Sequence, residues 1–161
     1  MIADGKNRLI KVGINSDIVE CWKQCYEDFK EQPKHIVKSL YGVNIDDACY
    51  SVFQYMASKV YYKLDDDGSQ FIKSPARLLQ DGCGDCKSLT MFVACCLHCL
   101  GITCIVRFVN FDGGTQYTHV YPVALDENGD EIIMDMCETA EGCPIFDYAR
   151  PYKRKKDIIY G

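Results

Sequence analysis

The spacing of apolar residues predicts that the N-terminal third of the chain is mostly helical. Between Ser16 and Lys30, large apolar side chains recur at steps of three and four residues: Ile18, Val19, Trp22, Tyr26 and Phe29. This period is typical of an amphipathic helix, which we expect to end before Pro33, with Ser16 or Asp17 as its N-cap.

Two further helices are predicted before the polar segment that follows. One runs from Pro33 to Leu40 and stops at Gly42, and the next opens at Asp46 or Asp47. Residues 63–70 carry consecutive aspartates followed by glycine and serine, a composition that favours a loop.

The centre of the chain predicts a buried helix followed by a sheet. From Cys86 to Gly101 the residues are apolar almost all round, and Gly101 is a natural helix stop. Three strand-like runs follow it: Ile102–Val109, Tyr117–Leu125 and Glu131–Met136. We therefore expect an α+β fold in which this helix packs on an antiparallel sheet of three or four strands.

Length and charge limit the remaining possibilities. The chain has 161 residues, enough for one domain, which we divide into a helical part (1–62), a core (74–137) and an irregular basic tail (138–161). A net charge of −5 argues against a nucleic-acid-binding surface, and the one local exception is a cluster in the tail: Arg150, Lys153, Arg154, Lys155 and Lys156. No apolar run approaches the roughly 18 residues that cross a bilayer, so no membrane association is expected.

Eleven cysteines need an explanation. The number is odd and six of the cysteines cluster between Cys83 and Cys104, which disulfide scaffolds rarely show. Because free cysteine packs as a small apolar residue, most are predicted to fill the core of a protein in the cytoplasm or another reducing compartment.

Cys86 is the candidate nucleophile. It stands in the first turn of the predicted buried helix, where free backbone N–H groups and the helix dipole favour a thiolate. The negative charge of Asp85 opposes this effect, so an imidazole is needed as well.

His119 is the best candidate for that imidazole. His98 lies on the same helix as Cys86, roughly 18 Å away at 1.5 Å per residue. No pattern connects His35 with the cysteine, whereas His119 lies in the second strand-like run. His119 is therefore predicted to be the base.

Asp135 is the candidate for orienting His119. A carboxylate within an apolar strand is costly unless a partner meets it. A three-residue hairpin loop at 127–129, with Gly129 in the left-handed conformation, would set His119 opposite Cys137 and make Asp135 its diagonal neighbour on the same face. A two-residue turn would point Asp135 away, and we predict the three-residue loop.

These residues resemble a known family. A Gly-Asp-Cys86 sequence opening a helix, a Thr-His119 pair on a strand and an apolar strand carrying Asp135 look like the transglutaminase-like superfamily, which has a papain-like cysteine protease fold. The spacings of 33 and 16 residues are similar to that family's compact core, and small members occur in bacteria and tailed phages. Val120 and Met136 depart from the family pattern, so the substrate cleft is expected to differ.

The resemblance implies acyl transfer on an amide through a cysteine thioester, without a cofactor or metal. The substrate would be a peptide, an isopeptide or a glutamine side chain, and hydrolysis is the expected outcome. The backbone N–H of Cys86 and the side chain of Gln80 would stabilise the oxyanion. A catalytically silent structural or partner-binding module on the same fold, for example in a virion, is the alternative.

Two further interpretations of the cysteines are weaker. Cys83 and Cys86 form a C-x-x-C motif, but a thiol–disulfide oxidoreductase would place a strand directly before it; Cys83 remains a candidate redox partner of Cys86. A zinc site shared with Cys96 and Cys99 is disfavoured, because a rigid helix holds Cys86 and Cys96 roughly 15 Å apart.

Overall fold

The computed structural model of the protein describes residues 7–10, 15–64 and 70–161. In chain order its elements are β1 (Asn7–Ile10), α1 (Asn15–Phe29), α2 (Ile45–Lys59), β2 (Tyr61–Tyr62), β3 (Gln70–Lys73), α3 (Pro75–Asp81), β4 (Cys83–Gly84), α4 (Cys86–Leu100), β5 (Cys104–Asn110), β6 (His119–Leu125), β7 (Glu131–Ile133), β8 (Thr139–Ala140), β9 (Cys143–Pro144) and β10 (Arg154–Tyr160). The side chains of Ser16 and Asp17, and most of the predicted polar loop, lie outside the described residues.

The N-terminal part departs from the predicted helices in three places. The helix expected over 33–40 is wrong: two short 3₁₀ turns, Gln32–His35 and Val37–Ser39, stand there, as is usual where the stretch between proline and glycine is too short for a stable α-helix. Helix α2 begins before the predicted aspartates, because Asn44 caps it by accepting from the N–H of Asp47 at 2.8 Å. Strand β1 was not predicted. Its antiparallel partner β3 lies some 60 residues along the chain, so no local sequence pattern indicates that the two segments pair.

Helix α4 has the predicted position and burial. It begins at Cys86 and ends at Leu100, followed by Gly101 at φ 73°. All residues from 88 to 97 are buried. The hydroxyl of Thr90 donates to the backbone oxygen of Val120 at 3.1 Å, which fixes the helix against β6.

The main sheet is antiparallel and has four strands in the order β10-β5-β6-β7. The strands β5, β6 and β7 are somewhat shorter than predicted, and β7 ends at Ile133. Its pairing with β6 sets Val123 opposite Ile133 and Leu125 opposite Glu131. This register, with Gly129 at φ 81°, confirms the three-residue loop.

The expectation of an irregular C-terminal tail is wrong for residues 154–160. They form β10, which pairs with β5 along its full length as the edge of the sheet. An edge strand exposes part of its side chains, so a charged sequence is compatible with it and protects the edge from further pairing. Tyr160 stacks on Tyr26 of α1 with ring centroids 4.0 Å apart, which ties the last strand to the first helix.

Helix α4 thus lies between the N-terminal elements and one face of the sheet, and the α+β prediction is confirmed. Within the described parts of the chain, no helix is both long and apolar enough to span a membrane.

Candidate active site

Cys86 is the first residue of α4, and its position is fixed by Asp85, which caps the helix and pairs with Lys87. The Oδ1 atom of Asp85 accepts from the N–H groups of Lys87 and Ser88 at 3.0 and 3.3 Å, and its Oδ2 lies 2.5 Å from Lys87 Nζ. The indole Nε1 of Trp22 donates to the backbone oxygen of Lys87 at 3.1 Å, which joins α1 to this end of α4. The Asp85 charge that sequence reasoning set against a thiolate is therefore neutralised by Lys87.

His119 and Asp135 meet at the opposite side of the site. His119 begins β6, and its Nε2 lies 2.7 Å from Oδ2 of Asp135, just beyond the end of β7. Their side chains are 11% and 2% exposed. The other carboxylate oxygen accepts from the N–H of Cys137 at 3.0 Å, which fixes the carboxylate.

Cys86 interacts with the same ring: the two residues line one cavity, and Cys86 is among the groups that raise the pKa of the imidazole. The structure therefore brings all three predicted residues together, with His119 bonded to Asp135 and beside Cys86 in one cavity.

The proton on His119 is strongly held. Burial by itself lowers the pKa of the imidazole, but the hydrogen bonds to Asp135 and Cys86, and the negative charges of both, outweigh burial and raise the pKa to about 10. The ring is thus an imidazolium at neutral pH, which is the form that stabilises a neighbouring thiolate.

A cavity of about 350 Å³ opens beside Cys86 and His119. Its wall is part apolar and part polar, and it comes from α1, β2 and the segment after it, the start of α4, β5, and β6 with the segment before it. Gln116 and Thr118 are among the polar lining residues. The apolar lining residues are Ile18, Val19, Leu64, Phe108 and Val120. A molecule bound in this cavity would contact both Cys86 and His119.

Sequence reasoning missed Tyr62, which lines the same cavity. Parallel pairing of β2 with β4 sets Tyr62 beside Gly84, two residues before Cys86. Burial, then the charge of Cys86, raises the pKa of its phenol to about 12, so the phenol keeps its proton. Two-residue strands leave no pattern in the sequence, and no signal could have found this residue.

Sequence reasoning gave Cys137 no chemical role. Burial and the nearby charges of Cys86 and Asp135 raise the pKa of its thiol well above the usual range. Ligand atoms of His119, Asp135 and Cys137 lie within 4.8 Å of one another. Two ligands of one zinc ion stand roughly 3.3 Å apart at bonds of about 2.0 Å; the 2.7 Å between Nε2 and Oδ2 is a hydrogen bond and does not fit a shared metal.

The structure does not bring Gln80 into the cavity. It lies exposed in the last turn of α3 and is not among the cavity-lining residues. Cys83 is partly exposed on β4, and all eleven cysteines carry free thiols. Its role as a redox partner of Cys86 stays a prediction.

The other histidines and the basic tail lie elsewhere. His98 contacts Glu31 at 2.6 Å, at the far end of α4. In the tail, Arg150 stacks over Phe111, Arg154 donates to the backbone oxygen of Gly114, and Lys155 pairs with Asp157. Binding of an acidic partner or nucleic acid by this tail stays a prediction.

Comparisons with known proteins find similarity in structure alone: no family model and no curated protein matches the sequence. A candidate cysteine protease from Cytophaga hutchinsonii superposes with a TM-score of 0.53 at 11% identity, over 81% of this chain and 51% of that one. A candidate protease from Parabacteroides distasonis gives 0.55 at 8% identity, over 74% and 26%. Calcium-bound LapG of Legionella pneumophila gives 0.56 at 16% identity, over 89% and 83%.

The chain has a transglutaminase-like cysteine protease fold. The sequence resemblance is thereby confirmed at the level of the fold. The chain spans about half the length of the Cytophaga hutchinsonii protein and about a quarter of the Parabacteroides distasonis protein.

Proposed function

We propose that the protein is a cysteine hydrolase that cleaves amide bonds of a peptide or protein through a thioester on Cys86. The observation that carries this proposal is the position of the His119 ring, which is hydrogen bonded to Asp135 at 2.7 Å and lines the same cavity as Cys86. A nucleophile, a base and a group that orients the base are the parts that covalent acyl transfer requires.

The chemistry follows from the proton on His119. The Cys86 thiolate attacks the carbonyl carbon of the amide, and the imidazolium donates its proton to the departing amine as the C–N bond breaks. In the second step His119 takes a proton from water, which attacks the thioester and releases the acid and the thiol. Asp135 keeps the ring in one tautomer and stabilises its charge throughout.

The oxyanion formed in both steps needs hydrogen-bond donors. We propose the backbone N–H of Cys86 and the phenol of Tyr62, because Tyr62 lines the cavity and holds its proton. Gln80 was the second donor predicted from the sequence, and its exposed position on α3 favours Tyr62 instead.

Iodoacetamide labelling at about pH 6, mapped by mass spectrometry over all eleven cysteines, tests the proposal. An ordinary thiol with a pKa near 8.5 is under about 1% thiolate at that pH, whereas one paired with an imidazolium reacts readily. We expect Cys86 to be labelled at least tenfold faster than Cys143, the exposed internal reference.

His119→Ala should abolish this advantage, and His98→Ala should retain it, because His98 bonds to Glu31 and is remote from the thiol. Equal labelling rates at Cys86 and Cys143 in the wild type would contradict the proposed cysteine hydrolase. The chain would then be a silent module with a transglutaminase-like fold, and binding partners would be the next question.

A further inference from the structure

We propose that the cavity beside Cys86 binds a bulky apolar side chain of the acyl residue, such as leucine or phenylalanine. The inference rests on the proposed function and specifies its substrate. The acyl group is the part of the substrate that becomes bonded to Cys86, and Cys86 itself lines the cavity. The side chain nearest the new thioester is therefore the one that meets these walls.

The walls favour an apolar side chain for two reasons. Residues of four different segments present aliphatic or aromatic groups, among them Ile18, Leu64 and Phe108. Besides the reacting pair, the charged lining residues that the structure describes are Asp85 and Lys87, whose side chains bond to each other.

That pair is unsuited to binding a charged substrate. Its side chains are 5% and 12% exposed, and Asp85 is already occupied by two backbone N–H groups of α4. His119 is likewise paired, with Asp135, so a lysine or glutamate side chain entering the cavity would lose its water and find the opposite charges of the described lining already engaged, which is unfavourable.

The size of the cavity also limits the occupant. Small-molecule pockets range over about 300–1,000 Å³, and this cavity of about 350 Å³ lies at the lower end. It suits one large side chain with its adjoining peptide group better than an extended cofactor.

Peptidyl acyloxymethyl ketones test the inference directly. The Cys86 thiolate attacks such a probe, a C–S bond forms and the carboxylate leaves, so the labelling rate reports how the residue next to the ketone fits. Probes that carry leucine, phenylalanine, alanine, lysine or glutamate at that position are compared at one pH. We expect leucine and phenylalanine to react at least tenfold faster than lysine and glutamate, since apolar contacts of this kind are worth one to two orders of magnitude.

Leu64→Lys is the matched variant, because Leu64 is 67% exposed and its replacement leaves the core intact. It should slow the leucine probe and speed the glutamate probe at least fivefold. Ile159→Lys, at 66% exposure on β10, places the same charge away from the cavity and should leave both rates unchanged.

The outcomes separate the two proposals. Equal rates for all five probes, with His119-dependent labelling of Cys86 by iodoacetamide, would overturn the apolar specificity and leave the hydrolase standing. Loss of selective labelling by iodoacetamide as well would overturn both.

Discussion

The His119 ring is constrained on its edges and on its faces. Asp135 bonds to its Nε2, Cys86 lies beside it in the same cavity, and Phe111 and Tyr121 each lie 5.8 Å from it, ring centre to ring centre. The guanidinium of Arg150 lies 4.3 Å from the centre of the Phe111 ring. These contacts fix the orientation of the ring, which the proposed acid–base role of His119 requires.

The oxyanion donor provides a prediction at this scale. Tyr62→Phe removes one oxygen and keeps the ring, and we expect kcat to fall by ten- to a thousandfold, the usual effect of losing one such donor. Gln80→Ala should change kcat less than twofold. Steady-state hydrolysis of a leucyl peptide substrate measures both. The opposite ranking would return the role to Gln80.

At the level of elements, an ionic cluster around the buried side chain of Arg107 joins three strands of the sheet. Arg107 of β5 donates to both carboxylate oxygens of Glu131 on β7 at 3.0 and 2.7 Å, and to Asp157 on β10 at 2.9 and 3.1 Å. Its side chain is 4% exposed. The hydrogen bond from Arg107 lowers the pKa of Glu131. For Asp157, burial raises the pKa, but Arg107 and Lys155 together outweigh it and the pKa is lowered.

Arg107→Met should therefore destabilise the protein by about 3 kcal/mol, because it leaves two carboxylates without their cation. This destabilisation lies at the low end of the range for breaking a buried ion pair, because Glu131 is 42% exposed and water screens part of its charge. Urea denaturation measures the change. Arg154→Met, on the exposed part of β10, is the control and should change stability by less than about 0.5 kcal/mol. Equal effects of the two substitutions would contradict a structural role for the cluster.

The elements also indicate what the sequence could predict. Helix α4 was predictable because Asp85 and Gly101 mark its ends and apolar residues fill it. The contact between His119 and Asp135 was predictable because Gly129 fixes the hairpin register. Tyr62 and β1 were not, since each depends on pairing with a distant segment that leaves no local periodicity.

For the molecule as a whole, His119 couples stability to pH. The pKa of its imidazole is about 10 in the folded protein and about 6.5 in an unfolded chain, so the folded state binds the proton more tightly. The resulting stabilisation is fully present below pH 6.5 and is lost as the pH rises towards 10.

The free energy of unfolding of the wild type should accordingly exceed that of His119→Gln most at pH 6. The difference should shrink by at least about 1 kcal/mol by pH 9.5. Urea denaturation at pH 6, 8 and 9.5 measures it. Asp135→Asn should show a weaker trend in the same comparison, because it removes the hydrogen bond that chiefly raises the pKa. If the difference in free energy of unfolding between the wild type and His119→Gln stayed constant with pH, the raised pKa of His119 would be contradicted.

The two reacting side chains belong to different layers: Cys86 comes from α4 and His119 from β6. The proposed activation of Cys86 therefore requires that helix and sheet are packed together. Five other thiols become reactive only when the protein unfolds, because they are buried in the native core: Cys25, Cys49, Cys95, Cys96 and Cys104. At mildly acidic pH, denaturation should abolish the fast alkylation of Cys86. At higher pH, denaturation should allow alkylation of the five buried cysteines, so the labelling pattern reports the folded fraction of the molecule.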